Sequence, residues 1–256
     1  MPPFSVVQEF VERARSSETL DDLYRLMDDI TREIGFRYFA IISHVDLRHP
    51  SRGVIRLDNY PEVWARHFVD HGLYARDPIL TASLTTSVGF CWSEVPGMIE
   101  VSSSQRSILE DAAKQGLRHG FTMPANIPGE INGSCSFAAT QTRKLPTGAH
   151  MCAQLIGASA FQAARRLSGI GPRLGRETRR LTPRQRECLI WAAKGKTDWE
   201  IGQILGLNEE TVTEYLDLAR KRLDTSRRVQ LAIKALFEDQ ISFLEVLRRE
   251  PPSKGG

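Results

Sequence analysis

Tyr60, Trp64 and Phe68 recur every four residues, which sets three large aromatic rings on one face of a helix. Such a stripe can be ordinary core or the wall of a ligand cage, and burial habit favours core. Asp77 precedes Pro78, a pairing that suits a helix N-cap with proline at the first helical position. The same carboxylate could accept a hydrogen bond from a ligand. Trp92 follows in Phe90-Cys91-Trp92. Spacing alone makes no functional claim for this cluster.

Other chemistries find less support. Gly195-Lys196-Thr197 matches the end of a phosphate-binding loop, but Ile190 holds the place of its required glycine and no strand precedes it. There is no GxSxG, and His44, His49, His67, His71, His119 and His150 are read as forming no ligand-spaced pair. Cys91, Cys135, Cys152 and Cys188 lie far apart, without a CxxC, and read as free thiols of a reducing cytoplasm. Neither an enzyme nor a cofactor or metal protein is expected.

The elements that would position these residues follow from periodicity. Phe4 to Arg15 and Thr19 to Ile34 read as amphipathic helices, and Phe36 to Val45 as a strand with Val54 to Leu57 as partner. Pro61 to Val69 reads as a helix with proline at its first position, Asp77-Pro78 opens another, and Ser102 to Gln115 a third. Phe121 to Ile127 and Ser134 to Thr140 read as strands joined by Pro128-Gly129-Glu130, and Pro146 to Leu167 as one long helix. The expected class is α+β: an α/β/α sandwich around an antiparallel sheet over residues 1–167. A linker over 168–180 carries the Gly/Pro loop Ser168 to Gly175, and a helical domain occupies 181–256, with a disordered tail from Pro251.

From Leu181 to Phe237 the chain reads as four short helices. Thr182, Pro183 and Gln185 make a capping box with proline at the first position, and Gly195 ends that helix. Thr197 and Glu200 repeat the box. Gly206-Leu207-Asn208 is a tight turn, after which Asn208 caps a helix carrying Val212, Leu216, Ala219 and Leu223. Two helices joined by a short turn with glycine form the helix-turn-helix unit of DNA-binding proteins.

This string closely resembles the DNA-binding domain of the LuxR/FixJ family of bacterial transcription regulators. The shared positions are Leu181, Thr182, Arg184, Leu189, Trp191, Ala193, Gly195, Lys196, Thr197, Glu200, Ile201, Leu205, Thr211, Val212, Leu216, Ala219 and Leu223. Gln185 stands for a usual Glu, Gly202 for a usual Ala and Tyr215 for a common His. The order of residues in the N-terminal half is similar to the autoinducer-binding domain of quorum-sensing LuxR-type regulators, which bind N-acyl-homoserine lactones. That resemblance implies Trp64 on the lactone carbonyl, Asp77 on the amide N–H, Trp92 against the lactone ring and Tyr60 at the head group. It places Gly120 at a small position beside the pocket and Ser136, or Ser134 with a shifted hairpin, near the amide or acyl carbonyl. Phe68 stands where the family commonly has Tyr, so a hydroxyl toward the acyl carbonyl is missing and a non-lactone ligand stays open.

The resemblance further implies a homodimer on an inverted-repeat DNA operator, with Glu209 to Leu223 as recognition helix. Lys196, Thr197, Arg220, Lys221 and Arg222 are read as phosphate contacts; Thr211, Thr213, Glu214 and Asp217 also fall on the DNA side. The acidic start of that helix is unusual for a groove-facing surface. Val229, Ile233 and Leu236 resemble the surface on which family members pair, and Ile241 to Leu247 could extend it or fold back on the sensor. Contact with RNA polymerase is a further implied partnership. Charge agrees: residues 1–164 hold 15 basic and 18 acidic residues, and 165–256 hold 19 and 13. From Arg165 to Arg186, eight Arg face only Glu177. With no apolar run of membrane-spanning length and no secretory signal at the start, a cytoplasmic protein is expected.

Overall fold

The computed structural model describes residues 4–48, 54–127, 130–140, 145–146, 148–169 and 180–247. The expected turn at Pro128-Gly129, most of the 168–180 linker and the tail from Pro251 lie outside them. The chain divides into two compact units, with the change at Gly171/Pro172.

The first unit opens with α1 (Phe4–Ser16) and α2 (Leu20–Glu33). Thr19 caps α2 and Asp22 reaches back to its amide, a reciprocal box that fixes the helix start. Five strands follow: β1 (Tyr38–Ser43), β2 (Arg56–Asp58), β3 (Phe90–Cys91), β4 (His119–Ala125) and β5 (Gly133–Ala139). They form one antiparallel sheet in the order β2-β1-β5-β4-β3. Between β2 and β4 come α3 (Glu62–Asp70), α4 (Pro78–Ser83), the one-turn α5 (Val95–Met98) and α6 (Ser103–Lys114). The long helix α7 (Ala149–Leu167) closes the unit.

Alternation along the strands divides the unit into layers. Phe39 and Ile41 of β1, with Cys135 and Phe137 of β5, enter a core shared with Phe10, Leu23, Met27 and Ile156 of α1, α2 and α7. Ala138, on the opposite face, packs under Trp64, Phe68, Leu80, Ile108 and Leu117. The expected α/β/α sandwich is therefore the observed one. Three expectations shift. Pro61 sits at the N-cap of α3 rather than inside it, α7 begins at Ala149 rather than Pro146, and the edge strand β3 is present where no strand was read. Two residues are too few to show a periodicity.

The second unit contains α8 (Pro183–Ala193), α9 (Asp198–Leu205), α10 (Glu209–Arg222), α11 (Arg228–Phe237) and the short α12 (Phe243–Leu247). Both capping boxes form, at Thr182/Gln185 and at Thr197/Glu200, and Asn208 Oδ1 accepts from the Thr211 amide at 2.7 Å. Gly206 takes the left-handed conformation at φ +67° that ends α9. Gly202 lies so close to the following turn that a Cβ would meet the Leu207 carbonyl oxygen at 2.6 Å. Leu189, Ile201, Val212, Leu216, Leu223 and Leu231 fill the core. The fourth helix starts at Arg228, two residues later than Ser226. A fifth helix, α12, is added to the expected four. The segment from Ile241 is tied to α8 of its own unit: Arg186 Nε donates to the Gln240 carbonyl at 2.9 Å and Arg186 Nη2 pairs with Glu245 at 2.5 Å.

Candidate ligand cavity and nucleic-acid interface

Between the sheet and α3, α4 and α6 lies a cavity of about 690 Å³, part of it open to solvent. Its apolar wall includes Ile42, Leu47, Phe68, Leu80, Ile108 and Leu117. Seven of the eight sequence-derived ligand residues line it: Tyr60, Trp64, Phe68, Asp77, Trp92, Ser134 and Ser136. A narrow, largely apolar space with few converging polar groups is the usual form of a small-molecule site.

The polar groups form a chain. Trp92 Nε1 donates to Thr122 Oγ1 at 2.9 Å, Thr122 Oγ1 and Ser136 Oγ are 2.8 Å apart, and Tyr60 lines the cavity with Ser136. The register explains the alignment, since Thr122 and Ala40 both stand directly beside Ser136. Ser134 and Ser136 are two apart on β5, so both face the cavity and no hairpin shift is needed to choose between them. Burial pushes the Tyr60 phenol well above its ordinary range, assisted by the carboxylates of Asp58 and Asp77. It is therefore a neutral donor at any physiological pH.

Asp77 caps a helix and also lines the cavity. Its Oδ1 accepts from the Ile79 amide at 2.7 Å as the cap of α4, and its carboxyl lines the cavity. Burial pushes its pKa up to about 6, against the pull of the backbone amides of Ile79 and Leu80. Gly120 is a correction in kind: it does not line the cavity but lies beneath Trp92, where a Cβ would stand 2.3 Å from the indole Cε2. Its small size serves the ring rather than the ligand.

Several residues on the cavity wall or bonded to it escaped the sequence reading. Thr122 joins Trp92 to Ser136, and neither partner was readable. Arg56 and Asp58 form an ion pair on the cavity wall, and His44 Nε2 lies 2.9 Å from Ser134 Oγ. His67 and His71 are also a correction. They are one turn apart with ring centroids at 4.2 Å, a metal-ligating spacing, yet no three-residue ligand group exists among the described residues.

In the second unit, α10 presents a concave surface lined by Asn208, Glu209, Glu210, Thr213, Glu214, Asp217, Leu218 and Lys221. Several DNA-side residues already have partners. Thr213 Oγ1 donates to Asp198 Oδ2 at 2.8 Å and to the Glu209 carbonyl at 3.1 Å. Asp217 pairs with Arg220, Lys196 Nζ with Glu200 at 3.1 Å, and Arg222 Nη1 donates to the Arg180 carbonyl at 2.6 Å. Thr197 is engaged in its capping box and Thr211 is half-buried with its amide capped. Glu214 and Lys221 are exposed. Arg228, unmarked in the sequence, pairs with Asp198 and donates to the Lys196 carbonyl, so it braces α9 against the start of α11. Of the pairing surface, Val229 and Ile233 are exposed, whereas Leu236 packs on the core and Phe237 lies exposed beside them.

A ligand cavity in a sheet-and-helix unit, followed by a helix-turn-helix unit, defines a small-molecule-responsive DNA-binding regulator. Residues 19–167 match the autoinducer binding domain and residues 179–235 match the bacterial regulatory proteins of the luxR family. The chain belongs to this family of autoinducer-binding transcriptional regulators, which are not enzymes. It is 26% identical over 235 residues to the transcriptional activator protein LuxR of Aliivibrio fischeri, covering 90% of this chain and 92% of that protein. It is 30% identical over 232 residues to the quorum sensing-dependent transcriptional regulator RpaR of Rhodopseudomonas palustris, covering 87% and 93% respectively. The crystal structure of Escherichia coli SdiA has a similar fold, with a TM-score of 0.64 at 24% identity over 96% of this chain and 99% of that one. No helix among the described residues is long and apolar enough to cross a membrane.

Proposed function

We propose that this regulator senses an N-acyl-homoserine lactone and, as a homodimer, binds an inverted-repeat operator in a quorum-sensing circuit of the cytoplasm. The observation that carries the ligand reading is the convergence of Tyr60, Trp64, Asp77, Trp92 and Ser136 on one cavity. The ionised Asp77 receives the ligand amide N–H in a charge-assisted bond, Trp64 N–H and the Tyr60 hydroxyl serve the carbonyl oxygens, and Trp92 covers the ring. Gly120 admits Trp92; Phe68 walls the acyl chain; Ser134 and Ser136 supply hydroxyls. Residues 1–167 are the sensor, 168–180 the linker and 181–256 the DNA-binding domain.

On the DNA side, Lys221, exposed and without an ion pair among the described residues, meets phosphate, while Lys196, Arg220 and Arg222 exchange their present partners for phosphate. Thr197, Thr211 and Thr213 hold helix geometry at the groove, and Glu214 and Asp217 face the bases. Val229, Ile233 and Leu236 belong to the helix by which two DNA-binding domains pair, and RNA polymerase is the partner through which transcription responds.

A second reading, a non-lactone ligand or constitutive activity, is favoured by Phe68, which offers no hydroxyl to an acyl carbonyl. SdiA, of similar fold, has been crystallised with octanoyl-rac-glycerol, an acyl compound without a lactone ring. Thermal unfolding of the full chain against lactones of varied acyl group distinguishes the two. A saturating ligand at about a hundred times its Kd adds about 2.7 kcal/mol. A shift with a lactone, absent in Asp77→Asn, supports the first reading; a shift only with acylglycerols supports the second.

A further inference from the structure

The ligand cavity is apolar over most of its wall but ends, on the β2 side, against charge. Arg56 and Asp58 are two apart on β2 and both line the cavity, with Arg56 Nε donating to Asp58 Oδ2 at 3.2 Å. The Asp58 side chain is 13% exposed and that of Arg56 39%, so the pair keeps part of its hydration. The register sets Asp58 beside Ala40 and Ala40 beside Ser136. The pair therefore stands two strand spacings, about 10 Å, from the strand that carries Ser136. The methyl of Ala40 between them leaves the path across the sheet open.

A second polar group flanks that path. Ser134 Oγ is 2.9 Å from His44 Nε2, while His44 Nδ1 is buried without a partner among the described residues. A bare ring nitrogen is the cheaper orphan, because buried unpaired N–H groups are the rarer kind. Nε2–H then donates to Ser134, whose own hydroxyl proton is left to point at an acceptor in the cavity.

We propose that the acyl group of the ligand ends in a hydrogen-bonding substituent, a hydroxyl on an alkyl or aryl end, held by the Arg56–Asp58 pair. This rests on the acyl-homoserine lactone reading above. A plain alkyl end pressed on the pair strips its remaining water and returns nothing, whereas a hydroxyl donates to Asp58 in place of that water. A site built to bond a hydroxyl discriminates strongly against the analogue that lacks it. The span suits a tail of about eight bonds, at roughly 1.2 Å of extension per bond.

The test is titration calorimetry of the full chain with N-octanoyl-homoserine lactone and with its 8-hydroxyoctanoyl counterpart. The hydroxylated ligand is expected to bind at least tenfold more tightly. Asp58→Asn reduces that ratio while leaving the affinity for the plain octanoyl ligand within about twofold. The wild-type comparison needs no variant, so a poorly folding one does not blunt it. Equal or tighter binding of the plain ligand by the wild type overturns the tail assignment and leaves the lactone reading intact. If neither of these lactones nor any of the wider panel binds, the lactone reading falls and this inference falls with it.

Discussion

Gly120→Ala tests whether the indole of Trp92 is held where the ligand needs it. The added Cβ would stand 2.3, 2.5 and 2.6 Å from Cε2, Cδ2 and Cζ2 of that ring, where carbon atoms rest at about 3.5–4.0 Å. β4 is bonded to β5 on one side and β3 on the other, so the backbone has little freedom and the ring must move by about 1 Å or more. That movement stretches the 2.9 Å bond from Trp92 Nε1 to Thr122 and unsettles the 2.8 Å contact between Thr122 and Ser136. Overpacking costs about 1–3 kcal/mol and the compromised hydrogen bond about 1 more.

A loss of about 2–4 kcal/mol lowers the melting temperature of a unit this size by roughly 5–15 °C. The assay is thermal unfolding of the full chain with and without the best lactone of the panel, followed by tryptophan fluorescence. Gly120→Ala should melt early and show a reduced ligand shift. Trp92→Ala removes the clashing ring, so the double variant should be less destabilised than the sum of the two singles, by about 1 kcal/mol or more. A Gly120→Ala protein that melts within about 1 °C of wild type and keeps its full ligand shift would refute this account of Trp92.

Asp77 should make ligand binding pH-dependent. Its carboxyl, at about 6 in the fold and about 3.9 when unfolded, keeps its proton longer in the folded chain. The ligand-free sensor therefore loses stability as pH rises from about 4 to 6. Lactone affinity should weaken below pH 6 as the proton competes with the ligand N–H, which titration calorimetry of the wild type reads, and the stability trend should flatten in Asp77→Asn. Arg228→Ala removes the brace on Asp198 and the Lys196 carbonyl and should destabilise the DNA-binding unit by about 1–3 kcal/mol. Chemical unfolding followed by far-UV circular dichroism reads this, and a change below about 0.5 kcal/mol would show the brace to be idle. Lys221→Ala should weaken binding to all DNA sequences alike and shallow the salt slope by about one unit; an unaltered slope in filter-binding assays would remove Lys221 from the phosphate contacts.

Legibility in the sequence followed the range of the interaction. Caps are local, and Thr19/Asp22, Ser102/Gln105, Thr182/Gln185 and Thr197/Glu200 all formed as capping boxes. Of these, the sequence reading gave the boxes at Thr182/Gln185 and Thr197/Glu200 but neither Asp22 nor Gln105 as a box partner. The strands β1, β4 and β5 were legible, whereas Ser134 and Ser136 were read as alternatives and only the observed register turns both to the cavity. What stayed hidden depends on long-range register. Thr122 gains meaning only once β4 lies beside β5, and the Arg56–Asp58 wall exists only because β2 extends to Asp58, one residue beyond the strand read at Val54 to Leu57. Arg228 was invisible for the same reason, since its partners Asp198 and Lys196 lie 30 and 32 residues away.

The structural reading of Asp77 and the ligand role proposed for it are compatible. One residue can cap α4 and still offer an oxygen to a ligand because a carboxylate has two oxygens. Oδ1 fixes the Ile79 amide, which holds the side chain in place, and the constrained group is what a recognition site requires. Gln185 shows the complementary case. It is only 3% exposed, closes its capping box through Oε1 at 3.0 Å from the Thr182 amide, and does so without a charge. A glutamate there would meet the same amide but carry an ionised group into the core of the module, at a desolvation cost that the neutral amide avoids. The chain thus keeps a buried carboxyl where a ligand can answer it, at Asp77, and dispenses with one at Gln185, where no partner beyond the cap is needed.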